Sequence, residues 1–331
     1  MQRNNIDISV LIPTKNRSES LKKTLDSLAN QTFNRFEVVV VDGGSTDNTK
    51  ELVFTYEKHF PIQWGEKEGG LIPQMNLAYK LARGKYVVRT DDDVVINSGW
   101  LDAIVESFES DNFIGGVTGP TVIPAKHAQS RDLFYFEDKL KHGHFIWKLV
   151  GSIYFNYFLE GAPYRVSHWC KSGAFTLGNN FKAALHEPVQ DVNNLEACNW
   201  AVRKNLLSRI GGFDPIYSGI GEYHEPDASF KIMSLGYKLV FNPKASLQHC
   251  PSVDGFFKDR PSSYPRMINF ITFYFRHIKV DSLDKFFRFV SYTIFLNCYY
   301  CFQAFQKKQI NLLGAVPGTI VGLFNVLIKR A

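Results

Sequence analysis

The stretch Tyr-Val-Val-Arg-Thr-Asp-Asp-Asp-Val-Val, at residues 86–95, decides the fold of this chain. Its β-branched run predicts a buried strand, because valine and tyrosine suit a covered, pleated surface. Three adjacent carboxylates repel one another and cannot be buried unpaired, so we expect them at an exposed strand end. A divalent cation would hold them together, since carboxylate oxygens are the ligands that Mg²⁺ and Mn²⁺ prefer. Judged from this stretch alone, the three acids could instead form a solvated turn that binds no cation.

Strand and helix patterns alternate on both sides of this stretch. Residues 6–12 alternate apolar and polar side chains, and residues 37–41 form a second, continuously apolar strand after Glu37. Such alternation over the first ~120 residues predicts a mostly parallel sheet with helices on both faces. Ligands of such sheets bind beyond the carboxyl ends of the strands. Residues 14–16, Asp42 and residues 91–93 each follow a predicted strand, so we expect them to face one crevice.

Two common phosphate-binding motifs are absent after the first strand. Neither the Gly-x-Gly-x-x-Gly dinucleotide fingerprint nor the phosphate loop that ends in Gly-Lys-Ser/Thr occurs there. We therefore expect any bound phosphates to be neutralised by a metal ion rather than held by the amino end of a helix.

Positive charge is concentrated at the end of the chain. The net charge is +6, and residues 258–331 contribute +8, with eleven Lys/Arg against three Asp. Aromatic and apolar runs accompany these basic residues, which favours an anionic membrane surface over nucleic acid. The segment Ile310–Ile328 has nineteen residues without a charge, so it could span a bilayer, lie in its interface, or pack on the rest of the protein.

The five cysteines are scattered and odd in number, which argues against a disulfide framework and fits a reducing compartment. Residues 1–7 contain no apolar core, so we expect no secretory signal. Together with the tail, these features predict a protein at the cytoplasmic face of a membrane, peripheral or anchored by its C-terminal hydrophobic helices.

Several motifs, in order and spacing, resemble the family 2 glycosyltransferases of the GT-A fold. In the first half these are residues 10–17 (Val-Leu-Ile-Pro-Thr-Lys-Asn-Arg), 40–47 (Val-Val-Asp-Gly-Gly-Ser-Thr-Asp), Asn76 through Tyr86, and Asp91-Asp92-Asp93. In the second half they are residues 199–204, 211–214, 224–227 (His-Glu-Pro-Asp) and 235–238. The resemblance implies a twisted, mostly parallel sheet flanked by helices, here with a C-terminal apolar helical extension.

The resemblance also implies an activity: transfer of a sugar from a nucleotide sugar, with inversion at the anomeric carbon. A UDP-sugar is the favoured donor, and Mg²⁺ or Mn²⁺ is the implied cofactor. The implied nucleotide-sugar contacts are Pro13, Thr14, Asn16, Asp42, Asp91, Asp92 and Arg203, and the implied metal ligands are Asp91, Asp93 and His249. The Gln-x-x-Arg-Trp motif of the processive synthases is absent, which indicates one sugar per acceptor. We expect the acceptor to be a glycan or a lipid-linked molecule, and we expect no nucleic-acid partner.

A single displacement needs a base near the acceptor hydroxyl, and a carboxylate can serve. When Asp227 is aligned with the second aspartate of the family pattern, Glu225 falls at the expected base position and His224 replaces the family's glutamate. We therefore predict Glu225 as the base, with Asp227 in reserve. Asp227 could instead simply cap the following helix.

The predicted domains are a GT-A catalytic domain at 1–255 and a helical membrane-associated tail at 256–331. The catalytic domain would comprise a nucleotide-binding half (1–125) and an acceptor half (126–255). Two other functions stay open. A sugar-phosphate nucleotidyltransferase shares a similar sheet, but it usually carries a Gly-rich basic loop where this chain has residues 13–16. A non-catalytic membrane-bound glycan-binding protein would not need the acids at 91, 93 and 225.

Overall fold

The computed structural model describes residues 6–125, 132–251 and 262–328. These residues form two compact units. The first comprises the described residues of 6–125, 177–215 and 224–251, and the second those of 132–176, 216–223 and 262–328. The predicted division at residues 125 and 255 does not coincide with these units, because two internal segments pack with the C-terminal helices rather than with the sheet.

The first unit is built on an eight-stranded sheet with the strand order β3-β2-β1-β4-β9-β6-β10-β8, and a smaller sheet has the order β5-β11-β7. The strands are β1 (Ile8–Thr14), β2 (Phe36–Asp42), β3 (Ile62–Glu66), β4 (Tyr86–Arg89), β5 (Val94–Ile96), β6 (Ile114–Thr118), β7 (Thr121–Val122), β8 (Gln190–Val192), β9 (Trp200–Arg203), β10 (Lys238–Phe241) and β11 (Leu247–His249).

The helices fall in both units. They are α1 (Ser18–Ala29), α2 (Thr49–Phe54), α3 (Leu71–Leu81), α4 (Trp100–Ser110), α5 (Asp132–His142), α6 (Phe145–Ser152), α7 (Lys204–Arg209), α8 (His224–Ser234), α9 (Ser263–Phe273), α10 (Leu283–Lys307) and α11 (Ala315–Ile328). The 3₁₀ turns are Gly178–Asn180, Lys182–His186 and Ile310–Gly314, and the π turns are Ile153–Phe158 and Tyr274–Ile278.

The parallel half of the large sheet is β3-β2-β1-β4, and every residue of β1, β2 and β4 is buried. Leu21, Leu25 and Leu28 of α1 belong to one core cluster with apolar residues of β1 and β2, while Met75 of α3 is also fully buried. Strands covered on both faces are continuously apolar, as the valine runs are. The predicted parallel α/β sheet flanked by helices is confirmed.

The second half of the large sheet is mixed, because β9 and the edge strand β8 run antiparallel to their neighbours. Strand β9 lies between β4 and β6 and is antiparallel to both. Its register pairs Tyr86 with Arg203 and Arg89 with Trp200. The amino end of β9 therefore lies beside the carboxyl end of β4, while Arg203 lies at the opposite edge of the sheet.

The second unit has an aromatic core between α9 and α10. The rings of Tyr274 and Phe289 are 4.4 Å apart, and Trp169 contacts Phe273 at 4.9 Å. Helix α11 packs closely on α9 through glycine, since a Cβ at Gly318 would lie 2.4 Å from the carbonyl oxygen of Tyr264. Only small residues permit this approach, and the opposite face of α11 is left outside the contact.

Candidate functional site

The carboxyl ends of three neighbouring strands carry the predicted site residues. Thr14 at the end of β1 pairs in register with Asp42 at the end of β2, and β4 runs beside β1 up to Arg89. The Thr14 hydroxyl donates to the carboxylate of Asp92 at 2.7 Å. Because parallel strands finish at a common edge, the structure brings Pro13, Thr14, Asn16, Asp42 and residues 91–93 together, as the sequence predicts.

Asp42 and Asn16 shape the loops at this edge. Asp42 accepts hydrogen bonds from the backbone N–H groups of Gly44 (3.0 Å) and Ser45 (2.8 Å), and from the Ser45 hydroxyl. Asn16 has a left-handed backbone (φ 52°) and accepts from the Thr46 N–H at 2.6 Å. The loops after β1 and β2 therefore hold each other, with the buried Asp42 carboxylate at their base.

Asp91, Asp93 and His249 form a group that could hold a metal ion, with one ligand atom from each lying within 4.8 Å of the others. His249 ends β11, which pairs antiparallel with β5 so that His249 is opposite Val94. Its Nε2 lies 3.2 Å from Oδ1 of Asp93. Two carboxylates and one imidazole form a donor set that suits Mn²⁺ or Mg²⁺, so these residues fit the implied cation.

Arg17 forms ion pairs with two of the three adjacent acids. Its guanidinium lies 2.5 Å from Asp92 and 2.7 Å from Asp93. Burial raises the pKa of Asp92 to about 7 although Arg17 opposes the shift. Burial also acts to raise the pKa of Asp93, but His249 and Arg17 outweigh it and hold that pKa below its usual value. Asp93 is therefore an anion at neutral pH, as a carboxylate that binds a metal cation must be.

Glu225 joins this site through Arg89, to which it is ion-paired. Glu225 lies in the first turn of α8, is buried, and also lies 3.0 Å from Nδ1 of His224. Burial alone would raise the pKa of Glu225, but His224 and Arg89 lower it to about 2. The carboxylate is ionised at neutral pH.

Asp227 has different surroundings, although it lies in the same turn of α8. Its carboxylate is buried and lies 2.6 Å from Nζ of Lys231, one turn along the helix. This i, i+4 ion pair stabilises α8 itself.

Arg203 is the predicted residue that the structure does not bring to the site. Its guanidinium donates to the backbone carbonyls of Ile114 and Phe108, each at 2.7 Å, and lies over the ring of Tyr86. This position is at the amino end of β4, away from Asp91, because β9 runs antiparallel. We assign Arg203 a structural role and exclude it from the candidate site.

A second group of possible ligands lies in the other unit, where ligand atoms of Glu160, His168 and Cys170 approach within 4.8 Å of one another. Arg165 lies 3.4 Å from Nε2 of His168. Burial and this cation lower the pKa of His168 to about 4. This group belongs to the second unit and includes none of the residues that meet at the strand ends, so we assign it no metal.

Three residues of the site are not among the predicted site residues: Arg17, Arg89 and His224. Arg89 had a visible signal, because a lone charge within a buried β-branched strand must be paired with an acid. Its partner Glu225 could not be identified from sequence, since it is 136 residues away.

Residues 9–165 match the family model "Glycosyl transferase family 2". A curated relative, the poly-beta-1,6-N-acetyl-D-glucosamine synthase of Staphylococcus epidermidis, is 30% identical over 114 residues, which cover 34% of this chain and 28% of that protein. The chain thus spans less than a third of the length of this relative.

Two solved structures share the fold. Staphylococcus aureus TarS 1-349 in complex with UDP-GlcNAc has a TM-score of 0.59 at 19% identity, with 96% of this chain and 80% of that chain covered. The mannosyltransferase PcManGT of Pyrobaculum calidifontis, in complex with GDP-Man and Mn²⁺, has a TM-score of 0.56 at 18% identity, with 95% and 86% covered. Residues 9–165 are thus similar to glycosyl transferase family 2, and the fold of the chain is GT-A-like.

Proposed function

We propose that this protein is a metal-dependent, inverting glycosyltransferase that moves one sugar from a nucleotide sugar to a glycan or lipid-linked acceptor. The observation that carries the proposal is the meeting of Asp42, residues 91–93, His249 and Glu225 at one edge of the sheet. Structures of similar fold contain UDP-GlcNAc or GDP-Man, which supports a nucleotide-sugar donor, and we favour a UDP-sugar.

In this proposal Asp91, Asp93 and His249 hold Mg²⁺ or Mn²⁺. Such a cation, when bound, acts as a Lewis acid that stabilises the negative charge of the diphosphate leaving group. Pro13, Thr14, Asn16 and Asp42 line the nucleoside pocket. Asp92 contacts the nucleotide side of the site while Thr14 and Arg17 hold its carboxylate.

Glu225 is the proposed base and Asp227 the reserve. An ionised carboxylate can accept the proton of the acceptor hydroxyl as the new glycosidic bond forms. With a pKa of about 2, Glu225 holds a proton poorly while Arg89 and His224 contact it. Efficient proton transfer therefore requires that the contact with His224 loosens when donor and acceptor are bound, while Arg89 keeps the Glu225 carboxylate in position.

Release of nucleotide from a panel of UDP- and GDP-sugars, with Mn²⁺ and a mixed glycan and lipid-linked acceptor pool, tests the activity. We expect Asp93→Asn to abolish release with every donor. At saturating Mn²⁺, Glu225→Gln should bind donor normally but transfer it about 100-fold more slowly or worse, because base catalysis contributes at least that much.

The control for these variants is Asp26→Asn, which removes an exposed carboxylate of α1 that is paired with Lys22. It should behave as wild type. Absence of nucleotide release from every donor, with either Mg²⁺ or Mn²⁺, would contradict the proposed activity. Normal transfer by Glu225→Gln would assign the base to Asp227.

We further propose that the second unit binds an anionic membrane surface. It carries many exposed apolar side chains, far beyond the few isolated ones usual on a soluble protein. They include Phe145, Ile146, Leu149, Leu283, Phe287, Phe305, Ile310, Ile320, Phe324 and Leu327. The exposed Lys148, Lys307 and Lys308 lie close to these residues in sequence, and lysine beside apolar side chains suits anionic lipid headgroups.

The C-terminal segment favours a helix that lies in the membrane interface. Ile310–Ile328 is long and apolar enough to cross a bilayer, and 17% of its most apolar window is buried. It begins, however, with the 3₁₀ turn Ile310–Gly314, and the regular helix α11 has 14 residues. Such a helix is about 21 Å long, which is shorter than the ~30 Å hydrocarbon core. Its glycine face is also occupied by α9.

Sedimentation with vesicles of phosphatidylcholine and phosphatidylglycerol tests this binding. Phe324→Asp and Phe305→Asp place a charge on exposed positions and should reduce the bound fraction severalfold. Phe113→Asp changes a phenylalanine of the first unit that is equally exposed and should have no effect. Equal binding by all three variants, or none by wild type, would refute the membrane proposal.

A further inference from the structure

Arg89 is a buried cation shared by two carboxylates that are distant in sequence. Its side chain is 4% exposed and ends β4. One terminal nitrogen lies 2.9 Å from Oδ1 of Asp91, while the other contacts Glu225 and donates to the carbonyl oxygen of Ala197 at 2.6 Å. The planar guanidinium fixes these partners in one fork, which a lysine could not reproduce.

The two carboxylates have different parts in the proposed reaction. Asp91 belongs to the group of three ligands with Asp93 and His249, whereas Glu225 is the candidate base and lies outside that group. Arg89 thus touches a metal ligand with one nitrogen and the base with the other. A change in the charge of either carboxylate alters how strongly Arg89 is held by the second one.

We propose that Arg89 is a positioning residue that couples cation binding at Asp91, Asp93 and His249 to the position of Glu225. This inference rests on the proposed function for the roles of the two carboxylates. When a divalent cation binds Asp91, that carboxylate attracts Arg89 less, and Arg89 turns more fully to Glu225. Conversely, when Glu225 loses its charge, Arg89 pairs more strongly with Asp91. Arg89 then competes with the cation for the Asp91 carboxylate.

The test measures the Kd of Mn²⁺ alone, from the electron paramagnetic resonance signal of the free ion, so that no donor sugar is needed. Glu225→Gln should weaken Mn²⁺ binding about tenfold in the presence of Arg89, a factor typical of coupling between sites. In the Arg89→Gln background the same substitution should change the Kd by less than about threefold, because only the through-space loss of one charge remains. Arg89→Gln by itself should tighten Mn²⁺ binding.

Asp227→Asn is the matched control. It removes a buried carboxylate from the same turn of α8, but Asp227 pairs with Lys231 and not with Arg89. Asp227→Asn should therefore change the Mn²⁺ Kd by less than about threefold, with Arg89 present and in the Arg89→Gln background. Thermal unfolding checks that each variant is folded. Should Arg89→Gln fail to fold, the same cycle with Arg89→Lys keeps the charge and loses the fork, and it should show a reduced coupling.

Activity distinguishes a positioning role from a merely structural one. With a donor found in the panel above, Arg89→Lys should lower kcat at least tenfold and leave the donor KM within threefold, because the base is misplaced while the donor still binds. The inference is overturned if Glu225→Gln changes the Mn²⁺ Kd by the same factor in both backgrounds. If that coupling is present but no donor releases nucleotide, the proposed function fails and the coupling stands. If wild type binds no Mn²⁺, both fail.

Discussion

The ion pair between Glu37 and Arg83 offers a sharp test of how the first unit is stabilised. Glu37 lies in β2 and is completely buried. Its Oε2 accepts from Nε of Arg83 at 2.6 Å and lies 2.5 Å from the terminal nitrogen. Its Oε1 accepts from the Ser9 hydroxyl and from the backbone N–H of Arg83, each at 2.7 Å. Arg83→Leu would remove every contact from Oε2 to the guanidinium and keep those to Oε1.

The magnitude follows from burial. Removing one partner of a fully buried pair costs about 3–5 kcal/mol, because a charge remains uncompensated. The Arg83 side chain is 53% exposed, so water can reach Oε2 once the guanidinium is gone. We therefore expect Arg83→Leu to lower the free energy of unfolding by about 2–3 kcal/mol. Glu37→Gln with Arg83→Leu should recover most of this loss, since an amide needs no counter-charge.

Urea unfolding followed by tryptophan fluorescence measures these differences. Arg35→Leu is the matched control. Arg35 is about as exposed as Arg83, but its partner Asp7, at 2.5 Å, is 22% exposed rather than buried, and ion pairs that water can reach contribute little. The reasoning is refuted if Arg83→Leu is as stable as wild type, or if the double variant is no more stable than Arg83→Leu alone.

Two further stability predictions concern Asp92 and Gly119. Because burial raises the pKa of Asp92 to about 7 from its usual 3.8, the folded protein binds more protons than the unfolded chain between these values, and the Asp92 contribution to stability falls as pH rises. The unfolding free energy of wild type relative to Asp92→Asn should therefore fall by up to about 1.4 kcal/mol per pH unit from pH 5 to pH 7. Urea unfolding with a chelator present measures this difference. A difference in unfolding free energy that does not change with pH would contradict the assigned pKa shift. At Gly119 a Cβ would lie 2.0 Å from the carbonyl oxygen of Ala245, so Gly119→Ala should lower the unfolding free energy by about 3 kcal/mol. Gly99→Ala, where a Cβ meets no atom within 4 Å, should lower it by less than about 1 kcal/mol, and equal losses at the two positions would contradict the packing argument.

The sequence alone determined the parallel half of the sheet and the edge at which the acids meet. Valine runs that are apolar at every position form strands covered on both faces, and this is a local property of the chain. The carboxyl ends of parallel strands share one edge, so Thr14, Asp42 and residues 91–93 had to converge once the strands were found. His249 was also predictable as the end of a strand, although its distance from Asp93 was not.

Only the tertiary structure decided which residues complete that edge. Strand β9 inserts antiparallel between β4 and β6, and this reversal moves Arg203 to the far edge although its motif resembles a ligand contact. Glu37 and Arg89 are charges inside apolar strands, and they pair with Arg83 and Glu225, which lie 46 and 136 residues away. Apolar periodicity fixes the faces of each element, because side chains alternate with the backbone. Strand direction and ion-pair partners depend on which distant segments pack side by side, and no local pattern records that choice.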